Sequence, residues 1–204
     1  MSVLATKLHL PASRRRLVER PRLTDRLRAG AGEAPRLVLV AAPAGFGKTT
    51  LLGQWLGAVK GSECRVAWLA LDAGDADLRL FLTDLVAAIQ TVAPGVGVDA
   101  LALLEGGGTA PTDAVLVSLI NDLDALAGAT VVALDDYHVV DGAAVHEAVI
   151  FLLDNLPPQV TLAMSTRADP PFPLSRLRRV ASSWRCGPRT SGSRPTRRRC
   201  SSMK

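Results

Sequence analysis

The stretch APAGFGKTT, residues 42–50, constrains the fold of this chain more than any other part of it. It joins an apolar run, RLVLVAAP (36–43), to TTLLGQWLGAV (49–59), in which apolar residues recur at helical spacing. A short apolar run bounded by proline and glycine is typical of a buried parallel strand. The sequence therefore predicts a strand, a glycine-containing loop and a helix in immediate succession.

This loop matches the pattern of phosphate-binding loops, Gly-x4-Gly-Lys-Ser/Thr, except that Ala42 stands at the first glycine. In such loops, backbone N–H groups converge at a helix N-terminus, where the helix dipole also favours negative charge. Glycine lets the backbone bend tightly and approach phosphate oxygens. Alanine is tolerable at the first position if its φ is negative. We expect nucleotide to be bound by Ala44, Gly45, Phe46, Gly47, Lys48, Thr49 and Thr50.

Two side chains of the loop have specific expected roles. Lys48 would reach the β- and γ-phosphates, and the Thr49 hydroxyl would bind Mg²⁺. The competing interpretation is an ordinary strand-to-helix turn with an incidental lysine. The order of strand, loop and helix favours phosphate binding.

The remaining chain alternates strands with helices. Further strands are predicted at 65–71, within 130–140, where the strand ends in two carboxylates, and in the first part of 160–174. Further helices are predicted at 77–92, from a cap at Thr112 or Asp113 to about Leu126, and at 143–156. This alternation predicts an α/β fold with a mostly parallel sheet and helices on both faces. Together with the phosphate-binding loop at 42–50, it indicates a P-loop NTPase. The expected segments are an N-terminal arm with a short helix (1–34), the NTPase domain (35–178) and a basic tail (179–204).

Hydrolysis also needs a carboxylate for the metal ion and a group that orients water. Asp135 and Asp136 follow the apolar residues VVAL, which places them at the sheet edge where the loop lies. We expect Asp135 to hold Mg²⁺ and Asp136 to act as the base, the alternative being an ordinary polar strand end.

Three further polar residues lie near the same predicted edge. Arg167 follows the last predicted strand, and its guanidinium could sense the γ-phosphate, unless it is a salt-bridged surface residue. Thr166 is a similar polar candidate. For His138, beside the carboxylates, a structural role is favoured over a ligand role.

Five blocks occur in an order that resembles one protein family: LVERPRL, APAGFGKTTLLGQW, VAWLALDAGDAD, ALDDYHVV and STRADPPFPLSRLR. They are similar to the N-terminal ATPase module of large ATP-dependent LuxR-type transcription activators of the maltose-regulon kind, within the STAND class. The resemblance spans about residues 7–178. In that family the loop commonly begins with alanine, as at Ala42. The resemblance also implies that Arg20 lies near the nucleotide.

The same resemblance implies a switch that uses ATP, ADP and Mg²⁺. ADP would hold a resting form, and ATP with an inducer would favour self-association. Sensor repeats and a DNA-binding helix-turn-helix normally follow this module, and we expect neither in this sequence. DNA would therefore be contacted only through a C-terminal domain that the chain lacks.

The net charge of +5 arises at the C-terminus. Residues 176–204 contain ten Lys or Arg and no Asp or Glu, which leaves 14 basic and 19 acidic residues, a charge of −5, in residues 1–175. The body of the chain therefore gives no electrostatic reason to bind nucleic acid. The three cysteines lack metal-binding spacing, and no apolar run reaches the roughly 18 residues of a membrane span. We expect a cytoplasmic protein without a membrane partner.

The family pattern stops near Arg178, and a shifted reading frame would continue it. Translation one base out of frame from Arg179, with free choice of synonymous codons, permits RGELVEVRAADLRFTPDEAAVFLNE. We therefore expect that a single-base deletion near the Arg178 codon produced a non-native or disordered tail. The alternative is a genuine basic tail that binds nucleic acid or an acidic partner.

Two functions remain open for the chain as a whole. The favoured one is a nucleotide-dependent switch module that hydrolyses ATP slowly, if at all. The other is an autonomous small P-loop NTPase or kinase that acts on a diffusible substrate.

Overall fold

A computed structural model describes residues 3–11, 35–60, 64–106 and 111–171, together with the backbone of residues 180–185. Within these residues, a parallel five-stranded sheet forms the centre in the order β2-β3-β4-β1-β5. Its strands are β1 (Leu37–Ala41), β2 (Arg65–Ala70), β3 (Thr130–Asp135), β4 (Val160–Thr166) and β5 (Val180–Arg185). The predicted α/β fold with a parallel sheet is confirmed.

The helices of the described residues are α1 (Lys48–Lys60), α2 (Leu78–Gln90), α3 (Val98–Glu105), α4 (Thr112–Asp124) and α5 (Ala143–Asn155). The helices predicted at 49–59, 77–92 and 143–156 correspond to α1, α2 and α5. The short helix α3 was not predicted. Pro111 occupies the cap position of α4 and no side chain caps that helix, so the expected cap at Thr112 or Asp113 is wrong. No helix in the described part of the chain is long and apolar enough to cross a bilayer.

Alternate residues of strands β1 to β4 pack against opposite helical layers. Leu37 and Leu39 of β1 join the apolar core beneath α2, α3, α4 and α5, whereas Val38 joins the core beneath α1. This alternation is the period of two that an extended backbone imposes. Each large apolar side chain buried in this way contributes about 1.5–3 kcal/mol. The two layers confirm the predicted helices on both faces of the sheet. Their packing fixes the position of α1 relative to the ends of the strands.

Strand β3 ends at Asp135, which confirms the predicted strand that ends in the carboxylates. Asp136, with φ of 58°, is the one described non-glycine residue in the left-handed region, and this conformation ends the extended strand. A 3₁₀ turn, Tyr137–Val139, follows. The buried Tyr137 hydroxyl lies 2.7 Å from Nδ1 of His146, so His146 has a structural partner that was not foreseen.

Lys7, in the 3₁₀ turn Ala5–Leu8, attaches the N-terminal segment to the domain. Its Nζ donates to Asp75 at 2.9 and 3.0 Å and to Asp84 at 2.7 Å, and it lies 3.3 Å from Asp72. Burial alone would lower the pKa of Lys7, but the hydrogen bonds and charges of Asp84 and Asp75 outweigh it and raise that pKa well above its usual range. We define Lys7, Asp72, Asp75 and Asp84 as the Lys7 cluster.

Residues 180–185 belong to the basic tail that was expected to be non-native or disordered, yet they form a strand. This part of residues 179–204 forms β5, whose backbone pairs in parallel with β1. The pairing is possible because a strand ladder joins backbone N–H and C=O groups and does not depend on particular side chains. Most of the expected N-terminal arm, including Arg20, and residues 186–204 lie outside the described residues.

Candidate nucleotide-binding site

The strand order brings the two predicted motifs to one edge of the sheet. Strand β4 lies between β1, which leads into the glycine loop, and β3, which leads into the carboxylates. Because all these strands run parallel, their carboxyl ends share an edge, where α/β proteins bind their ligands. The loop and the carboxylates therefore flank the end of β4.

The glycine loop has the backbone geometry expected for phosphate binding. Gly45 and Gly47 have φ of 81° and 74°, a region that residues with side chains rarely adopt. A Cβ at Gly45 would have no neighbour within 4 Å, so the loop faces open space. The buried Ala42 lies outside the positive-φ region, and its N–H donates to the Thr166 carbonyl at 3.1 Å. Alanine therefore fits the position of the first glycine.

The side chains of the loop and of the first turn of α1 differ in their exposure and in their contacts. Lys48 is only 8% exposed, and its Nζ donates to the Pro43 carbonyl of the same loop at 3.4 Å. Thr49 Oγ1 donates to Asp135 Oδ1 at 3.1 Å. Phe46, at the tip of the loop, is 48% exposed. The first turn of α1 is thus hydrogen-bonded to the end of β3.

Asp135 is a buried carboxylate, 5% exposed, held by two hydroxyl groups. Its Oδ1 accepts hydrogen bonds from Thr49 and from Ser165 of β4. Burial raises the pKa of Asp135 and the charge of Asp136 adds to this, while the two hydroxyl hydrogen bonds partly offset it. A nearby cation would favour the charged form that burial disfavours.

Asp136 is more accessible than its neighbour, with 43% of its side chain exposed. Its backbone N–H donates to Ser165 Oγ at 3.0 Å. Its Oδ1 lies 3.7 Å from Nδ1 of His138, which is too long for a hydrogen bond. Asp136 can therefore meet a ligand or a water molecule from the solvent side.

His138 lies close enough to the charged residues at the ends of β3 and β4 for their charges to shift its pKa. Burial lowers its pKa. The charge of Asp136 and, less strongly, of Asp135 raises it, whereas Arg167 and Lys48 lower it. The net lowering favours a neutral imidazole at pH 7.

The end of β4 supplies the remaining polar residues. Arg167 is exposed directly after the strand, close enough for its charge to act on His138. Thr166 is buried, and its Oγ1 donates to the Ala168 carbonyl at 2.7 Å, which indicates a structural role. Ser165 was not among the predicted site residues. Its one signal in the sequence is a hydroxyl group near the end of a largely apolar strand.

These residues fit a nucleotide with Mg²⁺. Mg²⁺ in phosphate sites commonly uses one or two protein carboxylates together with phosphate oxygens and water. Asp135 and Thr49 provide hard oxygen atoms beside an open loop of backbone N–H groups. Among the described residues no group of three or more His, Cys, Asp or Glu side chains is placed to hold a metal ion.

Comparison with known proteins finds sequences that are similar to most of this chain. The HTH-type transcriptional regulator MalT of Yersinia enterocolitica is 34% identical over 176 residues, which cover 86% of this chain and 19% of MalT. The chain is thus similar in sequence to a part of this regulator. The serine/threonine-protein kinase PknK of Mycobacterium tuberculosis is 36% identical over 174 residues, 85% of this chain and 16% of PknK. The chain spans less than a fifth of the length of these relatives.

Solved structures support the fold. Cdc6p from Pyrobaculum aerophilum superimposes with a TM-score of 0.51 at 16% identity, over 78% of this chain and 41% of that one. No protein-family profile matches the chain. The sheet, the glycine loop and these similarities together are those of a P-loop NTPase.

Proposed function

We propose that this chain is the ATP-binding, slowly hydrolysing switch module of a cytoplasmic LuxR-type transcriptional regulator. The observation that carries the proposal is the 3.1 Å hydrogen bond from Thr49 to Asp135. It joins the helix that begins at the phosphate loop to the carboxylate that follows β3. A nucleotide site needs both groups beside one metal ion, and here they already touch.

Each residue of the site has a role in this proposal. Lys48 and the N–H groups of the loop bind the phosphates, and Thr49 and Asp135 hold Mg²⁺, which neutralises phosphate charge when it is bound. The accessible Asp136 orients the attacking water. Arg167, at the end of β4, senses the γ-phosphate.

The similarity to two differently named proteins supports a switch. MalT is named as a transcriptional regulator and PknK as a protein kinase, and this chain matches less than a fifth of each. A module common to both is better suited to a regulatory step that both can use than to DNA reading or to protein phosphorylation. Self-association in the ATP state, and DNA binding through another domain, belong to the same proposal.

A turnover assay tests the switch against the alternative of a small kinase or autonomous NTPase. The protein is incubated with labelled ATP, Mg²⁺ and a panel of candidate acceptors. We expect label to appear only as inorganic phosphate, and slowly. Transfer of label to any acceptor would contradict the switch.

Asp136→Asn is expected to spare ATP binding and to lower hydrolysis by about 100-fold, the usual contribution of a positioned base. Asparagine has the same shape and also tolerates the left-handed region, so the loop should keep its backbone. Calorimetry with ADP and a phosphate-release assay separate the two effects. Asp141→Asn, an exposed change in the same connection, is the matched control. Equal losses of binding and hydrolysis would give Asp136 a structural role instead.

A further inference from the structure

Ser165 is a fully buried serine that contacts both members of the carboxylate pair. Its Oγ lies within hydrogen-bonding distance of Asp135 Oδ1 and 3.0 Å from the backbone nitrogen of Asp136. An amide N–H can only donate, so the serine oxygen accepts it, and the single hydroxyl proton is left for Asp135. The direction of both hydrogen bonds is therefore defined.

We propose that Ser165 is a positioning residue that holds Asp135 and Asp136 in the arrangement needed for hydrolysis, and that nucleotide binding does not require it. The inference rests on the proposed function, because it assigns Ser165 to the hydrolytic step of the same site.

The first reason is the backbone of Asp136. A positive φ is unfavourable for residues with a side chain, and such a conformation persists where surrounding contacts hold it. The hydrogen bond from the Asp136 N–H to Ser165 is such a contact, and it reaches across to the neighbouring strand. It fixes the direction in which the Asp136 carboxylate leaves the sheet edge.

The second reason is the position of Asp135. Its Oδ1 accepts one hydroxyl from Thr49, on the phosphate-loop side, and one from Ser165, on β4. The carboxylate is thereby oriented from two different elements. Groups that orient a metal-binding carboxylate in this way commonly affect metal affinity or activity by about 10–100-fold when they are removed.

The third reason is the placement of Ser165 in the chain. It lies two residues before Arg167, at the end of the strand that separates β1 from β3. Among the described residues, its hydroxyl group bonds to the two aspartates and to none of the loop residues that would hold phosphate. Ser165 therefore links the end of β4 with the carboxylates. We expect that removing its hydroxyl group leaves the phosphate loop unchanged.

The experiment compares Ser165→Ala, Ser165→Cys and Ser165→Thr with Ser118→Ala, a change on α4 away from the site. We expect Ser165→Ala to lower kcat by about 10–100-fold while the ADP dissociation constant changes by less than about twofold. In the nucleotide-free protein, hydrogen exchange of the Asp136 amide, followed by NMR, should become about tenfold faster. Ser165→Thr, which keeps the hydroxyl, should keep both kcat and the exchange rate of the Asp136 amide close to the wild-type values.

Ser165→Cys fills a similar space with a weaker hydrogen-bonding group, and we expect it to lose hydrolysis while remaining folded. Unchanged kcat and unchanged Asp136 exchange in Ser165→Ala would overturn the inference. An equal loss of ADP affinity would do the same. If the wild-type chain does not hydrolyse ATP, the proposed hydrolysis fails, and protection of the Asp136 amide by Ser165 then decides the positioning role by itself.

Discussion

Lys48→Ala is expected to abolish Mg-ATP binding and to leave the fold intact. The ammonium group of Lys48 is buried at the first turn of α1, and its hydrogen bond to the Pro43 carbonyl is long, at 3.4 Å. Little folding energy depends on that bond, because α1 is anchored by buried apolar side chains such as Leu52 and Leu56. Charged hydrogen bonds to phosphate are strong, so we expect affinity to fall by about 100-fold or more.

Calorimetric titration with ATP and Mg²⁺ measures the effect of Lys48→Ala, and circular dichroism establishes that the variant is folded. Lys60→Ala, which removes a lysine from the last turn of the same helix, is the matched control and should bind as wild type does. An unchanged affinity in a folded Lys48→Ala protein would remove this lysine from the site.

Lys7→Met is expected to lower the free energy of unfolding by about 3–5 kcal/mol, the range for removing one partner of a buried ion pair. Asp75 is only 1% exposed and would keep its negative charge without the ammonium group that now lies 2.9 Å away. Asp84 and Asp72 would add their repulsion to that of Asp75. Urea denaturation at pH 7 measures the change.

The destabilisation by Lys7→Met should depend on pH. Burial raises the pKa of Asp75, and the hydrogen bond and charge of Lys7 act against this, so removal of Lys7 raises that pKa further. Protonation then relieves the unpaired charge, and the difference between wild type and variant should shrink as the pH falls toward the ordinary aspartate value of about 3.9. On the alkaline side, the raised pKa of Lys7 means that its contribution is fully present below about 10.4 and is lost only as the pH rises further.

A second substitution separates charge from packing in the Lys7 cluster. Lys7→Met combined with Asp75→Asn removes both charges, and we expect it to recover a large part of the lost stability at pH 7. If the double variant is no more stable than Lys7→Met alone, the loss arises from packing, and the electrostatic account of the cluster is wrong.

The local parts of this structure could be predicted from sequence because their signals are local. The glycine loop, the apolar runs on either side of it and the carboxylates after VVAL each occupy a few consecutive residues. The left-handed backbone of Asp136, directly after β3, has no local signal of this kind. Helix α3 has only eight residues and begins after Gly97, so its periodicity is short.

The contacts that organise the site depend on the fold and could not be predicted in this way. Ser165 is 30 positions from Asp135, and they meet because β4 lies next to β3. Lys7 reaches Asp75 across 68 positions. Nothing near either residue in the sequence indicates its partner, since both pairs result from packing between distant elements.

The central claim is that the phosphate loop and the β3 carboxylates form one Mg-nucleotide site. The most direct measurement is calorimetric titration of ATP into the wild-type protein and into Asp135→Asn, each with Mg²⁺ and with EDTA. The wild type should bind one ATP and lose about tenfold or more in affinity when Mg²⁺ is removed, whereas Asp135→Asn should bind equally with and without the metal. Absence of ATP binding by the wild type, or a Mg²⁺ effect that persists in Asp135→Asn, would contradict a site shared by Thr49 and Asp135.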